Sequence, residues 1–301
     1  MSRATDMRLH RPGTPTGSRK PFRTSPTRAA RMALRRIVIT TLVIVEILPL
    51  VWLVLSSFKE ESEFSLYPVY SLPRGLHFEN YFDAWTTGNI GLYFANSLMV
   101  VIPAVLLVIG LCTTGAFALE IMRWRGRNGV LMLFVLGILI PGQMILLPLF
   151  TIYFNLGLLD TRLSLILTYT VFGLPLGVFL MVGYYKAVPR ELLEAAVIDG
   201  ATVYQAFRMV ALPAVANAVA TVALVSFLFI WGDLLVALTF VSSNELRTVQ
   251  TGLLAFTDQY GQREWGPTFA AISIATLPTL VVFLALNQRV IRGLTAGAVK
   301  G

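Results

Sequence analysis

Residues 186–213, KAVPRELLEAAVIDGATVYQAFRMVALP, decide how the rest of the chain is read. Apolar runs flank them at 164–184 and 214–236, each close to the twenty or so residues that a helix needs to cross a hydrocarbon layer. Between those runs the segment predicts two short helices. Pro189 suits a first helical position, and Glu191 stands in the first turn, where the helix dipole favours negative charge. Gly200 supplies the left-handed or tightly packed position that ends the first helix, a second helix runs through Phe207, and Pro213 can open the next span. Leu192, Leu193, Ala196 and Val197 give the first helix an apolar face with no hydrocarbon to occupy, so that face needs a protein partner. Lys186, Arg190 and Arg208 are too few basic residues for a helix lying on lipid headgroups.

Further apolar runs at 37–57, 98–118, 131–153 and 268–287 bring the spans to six. The composition agrees. With 301 residues, 56% hydrophobic and 13% charged, and a mean hydropathy of +0.72, the chain is not a pair of soluble domains. The expected fold class is an all-α membrane protein with six transmembrane helices and little outside the lipid. Glu46 in the first run costs about 2.5 to 3.5 kcal/mol at a helix centre, but each surrounding Ile, Val or Leu returns about 0.3 to 0.6 kcal/mol. Residues 37–57 hold fourteen of them, so insertion still wins. Glu46 is expected to pair with a polar group of a neighbouring helix. Prolines at positions 49, 103, 141, 148, 175 and 278 fall in five of the six runs and predict bent, packed helices. Gly173 and Gly177, on either side of Pro175, make a face of small residues on which another helix can approach closely.

The net charge of +8 sits at the front of the chain. Residues 1–36 hold ten Lys and Arg against Asp6 alone, interspersed with Pro, Ser and Thr. They are expected to form a disordered basic tail that orients the first helix and touches anionic lipid. Nucleic acid is excluded as a partner, because no aromatic residues interleave the basic run. Placing both termini in the cytoplasm assigns 19 of the 24 basic residues to inner segments, as the positive-inside bias requires. The long first span, with no small-x-small site after it, argues against a cleaved signal peptide. Cys112 stands alone, and His10 and His77 lie far apart, so the sequence offers neither an internal disulfide nor a metal or catalytic His cluster. None of the four lysines follows a glycine, which excludes a phosphate-binding loop in this chain.

Taken together, Glu194-Ala195-Ala196, Asp199-Gly200-Ala201, Phe207 and Leu212-Pro213 resemble the EAA loop of permease subunits in ATP-binding-cassette importers. Ser57-Phe58-Lys59, Glu79-Asn80-Tyr81, Asn96-Ser97-Leu98, Trp231-Gly232-Asp233 and the closing residues from Arg292 to Gly301 are similar to the carbohydrate-uptake branch, in particular the maltose-type permease with six spans. The likeness runs from about residue 37 to 301 and leaves out the basic tail. The family more often has Trp-Asn-Glu where this chain has Trp231-Gly232-Asp233, so no role transfers to that acid.

The resemblance implies a type I importer permease fold with a cytoplasmic coupling helix. After the basic tail over 1–36, which lies outside the likeness, it implies a first span over 37–57, an outer loop over 58–95, a permease domain over 92–288 that contains the EAA loop at 186–213, and a cytoplasmic tail over 289–301 that reaches the ATPases. The implied partners are a second, maltose-type permease, two ABC ATPase subunits carrying the ATP and Mg, an extracytoplasmic solute-binding protein and membrane lipid. The implied substrate is a di- or oligosaccharide, and the chain itself carries no cofactor. In that picture Glu194 makes polar contacts with the ATPase, Ala195 and Ala196 fit closely against it, and Gly200 lets the backbone approach.

Polar groups inside the spans are the candidates for a sugar path: Asn96, Gln143, Asn217 and Asp233, with Thr168 and Thr170. At about 1.5 Å per residue Asp233 lies about 30 Å from Pro213, near the outer face, where a solvated acid is the competing reading. Gln143, beside Pro141 and Gly142, is nearer mid-membrane. In the outer loop Tyr67, Tyr70, His77, Tyr81, Trp85 and Tyr93 read as interfacial anchors, with docking of an external binding protein as the alternative there and over 242–267. The rival to an ATP-driven importer is a secondary transporter coupled to ions through Glu46 or Asp233. Such a transporter is expected to show inverted repeats, and none is evident in the sequence.

Overall fold

The computed structural model describes residues 26–256 and 264–298. All regular structure there is helical, with no strand among the described residues. In chain order the helices are α1 (Pro26–Ser56), α2 (Glu61–Leu66), α3 (Glu79–Trp85), α4 (Ile90–Glu120), α5 (Arg127–Leu139), α6 (Gly142–Asn155), α7 (Arg162–Lys186), α8 (Arg190–Ile198), α9 (Val203–Ala206), α10 (Leu212–Ala214), α11 (Ala216–Trp231), α12 (Leu235–Phe240), α13 (Val249–Leu253) and α14 (Trp265–Ala298). Four helices are long and apolar enough to cross a membrane, and counting each of two bent pairs as one span brings the number to six.

The chain divides into two compact units, Met1–Leu50 and Val51–Gly301. The described part of the first is the leading stretch of α1. It begins at Pro26, so residues 26–36, expected to be a disordered tail, are helical; residues 1–25 lie outside the described residues. Pro26 fits a first helical position, and Ala30, Met32, Ala33 and Leu34 are good helix formers that carry the helix toward the apolar run. Residues 30–50 are all exposed. The Glu46 carboxylate among them has no hydrogen bond or ion pair within the described residues of this unit.

The second unit is built on α4 and α7. Lipid tails are as apolar as leucine, so these helices gain from close packing rather than from leaving water. Gly173 and Gly177 supply the closeness: a Cβ on Gly173 would sit 2.8 Å from the Val108 methyl group, and one on Gly177 would collide with the Cys112 sulfur. The expected small-residue face is therefore real, and it meets α4. A buried cluster of Val108, Cys112, Phe117, Met181, Tyr185, Leu193, Ala211 and Val222 fills one end of the unit. A second cluster of Val100, Leu146, Tyr153, Tyr169, Trp231 and Phe240 fills the other. Trp231 ties the last span in: its indole N–H donates to the Ala275 carbonyl (2.9 Å) and its ring stacks on Phe227 at 5.6 Å.

The third span is not the continuous helix expected over 131–153. It breaks between α5 and α6, whose axes differ by 100°. Pro141 caps α6, and Ile140 before it is extended (φ −84°, ψ 116°), the conformation a following proline favours. Pro103, Pro148, Pro175 and Pro278 stay inside their helices. The fifth span is also interrupted. Residues 203–214 and α11 meet at 75° around Val215, two residues after Pro213. At the C-terminal end α14 continues to Ala298, so residues 289–298 of the expected tail are helical; no proline follows Pro278 to stop the helix. Residues 299–301 lie outside the described residues.

Candidate functional site

Pro189 leads into α8 with φ −58° and ψ 129°, and Glu191 lies in the first turn as expected. The helix closes through two crossing backbone bonds, Gly200 N–H to the Val197 carbonyl (3.0 Å) and Ala201 N–H to the Ala196 carbonyl (2.9 Å). That arrangement needs a left-handed residue between helix and loop, and Gly200 has φ +82°. Thr202 then opens α9. Its Oγ1 accepts from Gln205 N–H (3.3 Å), and Gln205 Oε1 accepts from Thr202 N–H (2.8 Å). A π-helical turn over Phe207–Ala211 leads into α10.

The loop is rigidly seated. Leu193 is buried in the first core cluster, and Phe207 packs edge-on against Phe117 with ring centroids 5.1 Å apart. Phe207 thus faces the core, whereas the resemblance groups it with the coupling residues. The expected apolar face is divided: Leu193 and Ala196 turn inward, while Leu192, Val197 and Ile198 are exposed, Ile198 at 84%. Val203, Tyr204 and Met209 extend the exposed apolar surface. Glu194, Ala195, Asp199 and Gly200 are exposed beside it, and Ala201 and Leu212 are half-buried. Neither the Glu194 nor the Asp199 carboxylate has a hydrogen bond or ion pair among the described residues. Pro213 is exposed at the approach to the 75° bend.

The path candidates do not converge. Asn96 is fully buried: its Nδ2 donates to the Glu245 (2.7 Å) and Arg247 (3.0 Å) carbonyls, and its Oδ1 accepts from Arg162 Nη2 (2.8 Å). Both of its amide N–H groups, and one acceptance at its oxygen, go to the framework. Next to it Ser97 Oγ accepts from Val249 N–H (2.9 Å), and Tyr93 Oη donates to Asn244 Oδ1 (2.7 Å). Asp233, half-buried, accepts with one oxygen from Tyr169 Oη (2.8 Å) and Val236 N–H (2.9 Å), which starts α12. Thr168 and Thr170 donate to the Ser164 and Ile166 carbonyls of their own helix (2.7 Å each). Gln143 is exposed at the break of the third span, and Asn217 is exposed at the start of α11, a span's length from Asp233.

A cavity of about 400 Å³ does open at that break, lined by Gly137, Gly142, Tyr153, Thr168, Phe172 and Phe229 among others. Tyr153 Oη donates to Thr168 Oγ1 across it (3.0 Å), since the threonine proton is already given to Ser164. A second cavity, of about 450 Å³, lies at the opposite end of the spans from residues 186–213, with Asp160, Thr239, Ser242 and Arg247 in its lining. Asp160 was not singled out from sequence. It sits in the left-handed region (φ 56°), which Asp tolerates, and its Oδ1 accepts from the backbone N–H groups of Ser243 (3.0 Å) and Ser242 (3.1 Å). The Ser243 bond holds the carboxyl below its ordinary range.

Comparison with known proteins puts a family on this geometry. Residues 110–295 match the family described as the binding-protein-dependent transport system inner membrane component. A diacetylchitobiose uptake system permease protein of Streptomyces coelicolor is 35% identical over 255 residues, 84% of each chain. A sulfoquinovosyl glycerol transport system permease protein of Agrobacterium fabrum is 32% identical over 89% of this chain and 94% of its own. A trehalose/maltose transport system permease protein of Thermococcus litoralis is 30% identical over 86% and 93%. Among solved structures, a chain of a bacterial ABC transporter that imports the acidic polysaccharide alginate superposes with a TM-score of 0.77 at 20% identity, covering 89% of this chain and 99% of that one. At that identity the likeness speaks for the fold.

Proposed function

The chain belongs to the family of binding-protein-dependent transport system inner membrane components, and on that premise we propose that it is the permease subunit of an ATP-binding-cassette importer for a di- or oligosaccharide. It works with a second, maltose-type permease, two ATPase subunits that hold ATP and Mg, and an extracytoplasmic solute-binding protein. Both termini and residues 186–213 face the cytoplasm, and residues 92–288 form the permease domain.

One observation carries the mechanism: α8 and α9 are anchored to the spans by Leu193 and Phe207, yet expose Leu192, Val197, Ile198 and Tyr204 beside an unpaired Glu194 and Asp199. A rigid element with a dry outer face is suited to sit in a cleft of the ATPase. Closure of the ATPase pair moves α8, and the motion reaches α11 through the π-helical turn and the 75° bend. Coupling then arises because the ATPase contacts this element differently in its two states. The ion-coupled rival loses support, since Asp233 is bonded to Tyr169 and to the start of α12.

Single cysteines at Glu194 and Ile198, crosslinked in the assembled importer, test this reading. They are expected to capture an ATPase subunit, with a yield that changes when ATP is trapped. Capture of phospholipid alone, or sugar uptake that follows an ion gradient without ATPase, overturns it.

A further inference from the structure

Residues 64–73, FSLYPVYSLP, contain no charged side chain, although Glu63 and Arg74 flank them. Their backbone is fastened inward. Lys59, 1% exposed, donates from Nζ to the Val69 carbonyl and to Ser71 Oγ (3.2 Å each) and lies 5.6 Å from the centre of the Phe64 ring. Glu63, also buried, accepts from Arg74 N–H (3.0 Å), and Ser71 N–H closes a turn on the Pro68 carbonyl (2.9 Å). With the polar backbone and the one buried ammonium underneath, the apolar side chains are forced out: Leu66 is 71%, Tyr70 83% and Leu72 70% exposed.

Two contacts fix the depth of this segment. Trp52 Nε1 donates to the Val69 carbonyl (2.9 Å), and Trp52 lies four residues inside the end of the first span, about 6 Å along the helix from Ser56. Phe64 stacks on Phe269 at 5.5 Å, and Phe269 lies four residues inside the start of the last span. The segment therefore does not stand off the membrane; it folds back to the level of the last helical turn of two spans. Uncharged backbone turned inward, exposed Leu and Tyr turned outward and a depth shared with Trp52 match the composition of an interfacial belt.

We propose that residues 64–73 form a wedge held in the interface of the lipid bilayer, with Leu66, Tyr70 and Leu72 among headgroups and upper acyl chains. The occupant of this surface is lipid, not the solute-binding protein. The inference rests on the membrane location that goes with the family, and not on the sugar or on the ATPase contact.

Nitroxide labels on Tyr70→Cys, Leu72→Cys and Leu66→Cys test it, in the full-length chain with its co-assembling subunits in phosphatidylcholine–phosphatidylglycerol liposomes. Cys112 is buried and does not compete for the label. Collision with oxygen is expected to exceed collision with a water-soluble nickel chelate several-fold at these sites. A label at Glu79, whose side chain is 86% exposed, is expected to show the reverse. Because three positions are used, one variant that fails to insert leaves two to decide. Nickel access equal to that at Glu79 overturns the proposal. So does protection from both reagents, or protection gained when the binding protein is added; crosslinks of residues 186–213 to an ATPase are unaffected by any of these results.

Discussion

The two ends of the spans handle polar groups in opposite ways. At the end that carries residues 244–249, several polar side chains are bonded within the chain: Asn96 holds two carbonyls and Arg162, Tyr93 holds Asn244, and Glu61 accepts from Trp265 N–H (2.7 Å) where α14 begins. At the end that carries 186–213, Glu194 and Asp199 are left exposed among Leu192, Val197 and Ile198, although the helix beneath them is just as firmly held. A region whose bonds close on themselves maintains a shape. A region equally ordered but left open on one side is built to be completed by another subunit.

The contrast is broken most severely at Gly200. No atom lies within 4 Å of where its Cβ would be, so the constraint is the left-handed backbone and not crowding. Gly200→Val should abolish ATP-driven uptake in proteoliposomes, by about 100-fold or more, with the subunit still inserted. A β-branched residue at positive φ rearranges the loop, whereas Gly200→Ala should retain partial activity. Uptake by the valine variant at the native rate would mean that the open face is not the coupling surface. At the closed end the expected loss is of stability. Asn96→Ala leaves Arg162 and two carbonyls without their partner, and each buried group so orphaned costs about 1 to 3 kcal/mol. Thermal unfolding in detergent should reveal a lowered midpoint, and an unchanged midpoint would put Asn96 back among the path candidates.

The smallest effect concerns acid. Asp160 has a folded-state pKa below the unfolded value, so its contribution is complete above about pH 4 and disappears as the pH falls through the lower, folded value. The site is near the surface, which limits the effect to under about 1 kcal/mol. Asp160→Asn should flatten this acid-side decline in the pH dependence of the unfolding midpoint; an identical decline in both proteins would assign it to other carboxylates.

Six apolar runs, the helix stop at Gly200 and the close face at Gly173 and Gly177 were all legible, because each follows from local chemistry: hydropathy, a φ restriction, the absence of a side chain. The break at Pro141 was not. Each proline removes the same N–H, yet the neighbours decide whether the helix bends or breaks. At Gly142 the ring of Phe172 comes within 3.2 Å of a would-be Cβ, and at Gly137 the ring of Pro175 within 3.1 Å, so both halves of the broken span pack closely on the fourth, a tertiary contact that no local pattern announces. The hydrogen-bond partners of Asn96, Asp233 and Thr168 were not legible for a related reason. A polar residue in an apolar run looks the same whether its partner is a carbonyl 150 residues away or a passing substrate, and the folded chain alone distinguishes them.

The contact of Gly177 with Cys112 limits which parts of the machine can travel. There is no room for a side chain at position 177 between α4 and α7, so the two helices are expected to move as one body. Displacement is left to the segments whose axes are already interrupted, at Pro141 and Val215. The same crowding buries the thiol of Cys112, so its labelling by a thiol reagent would report a separation of α4 from α7.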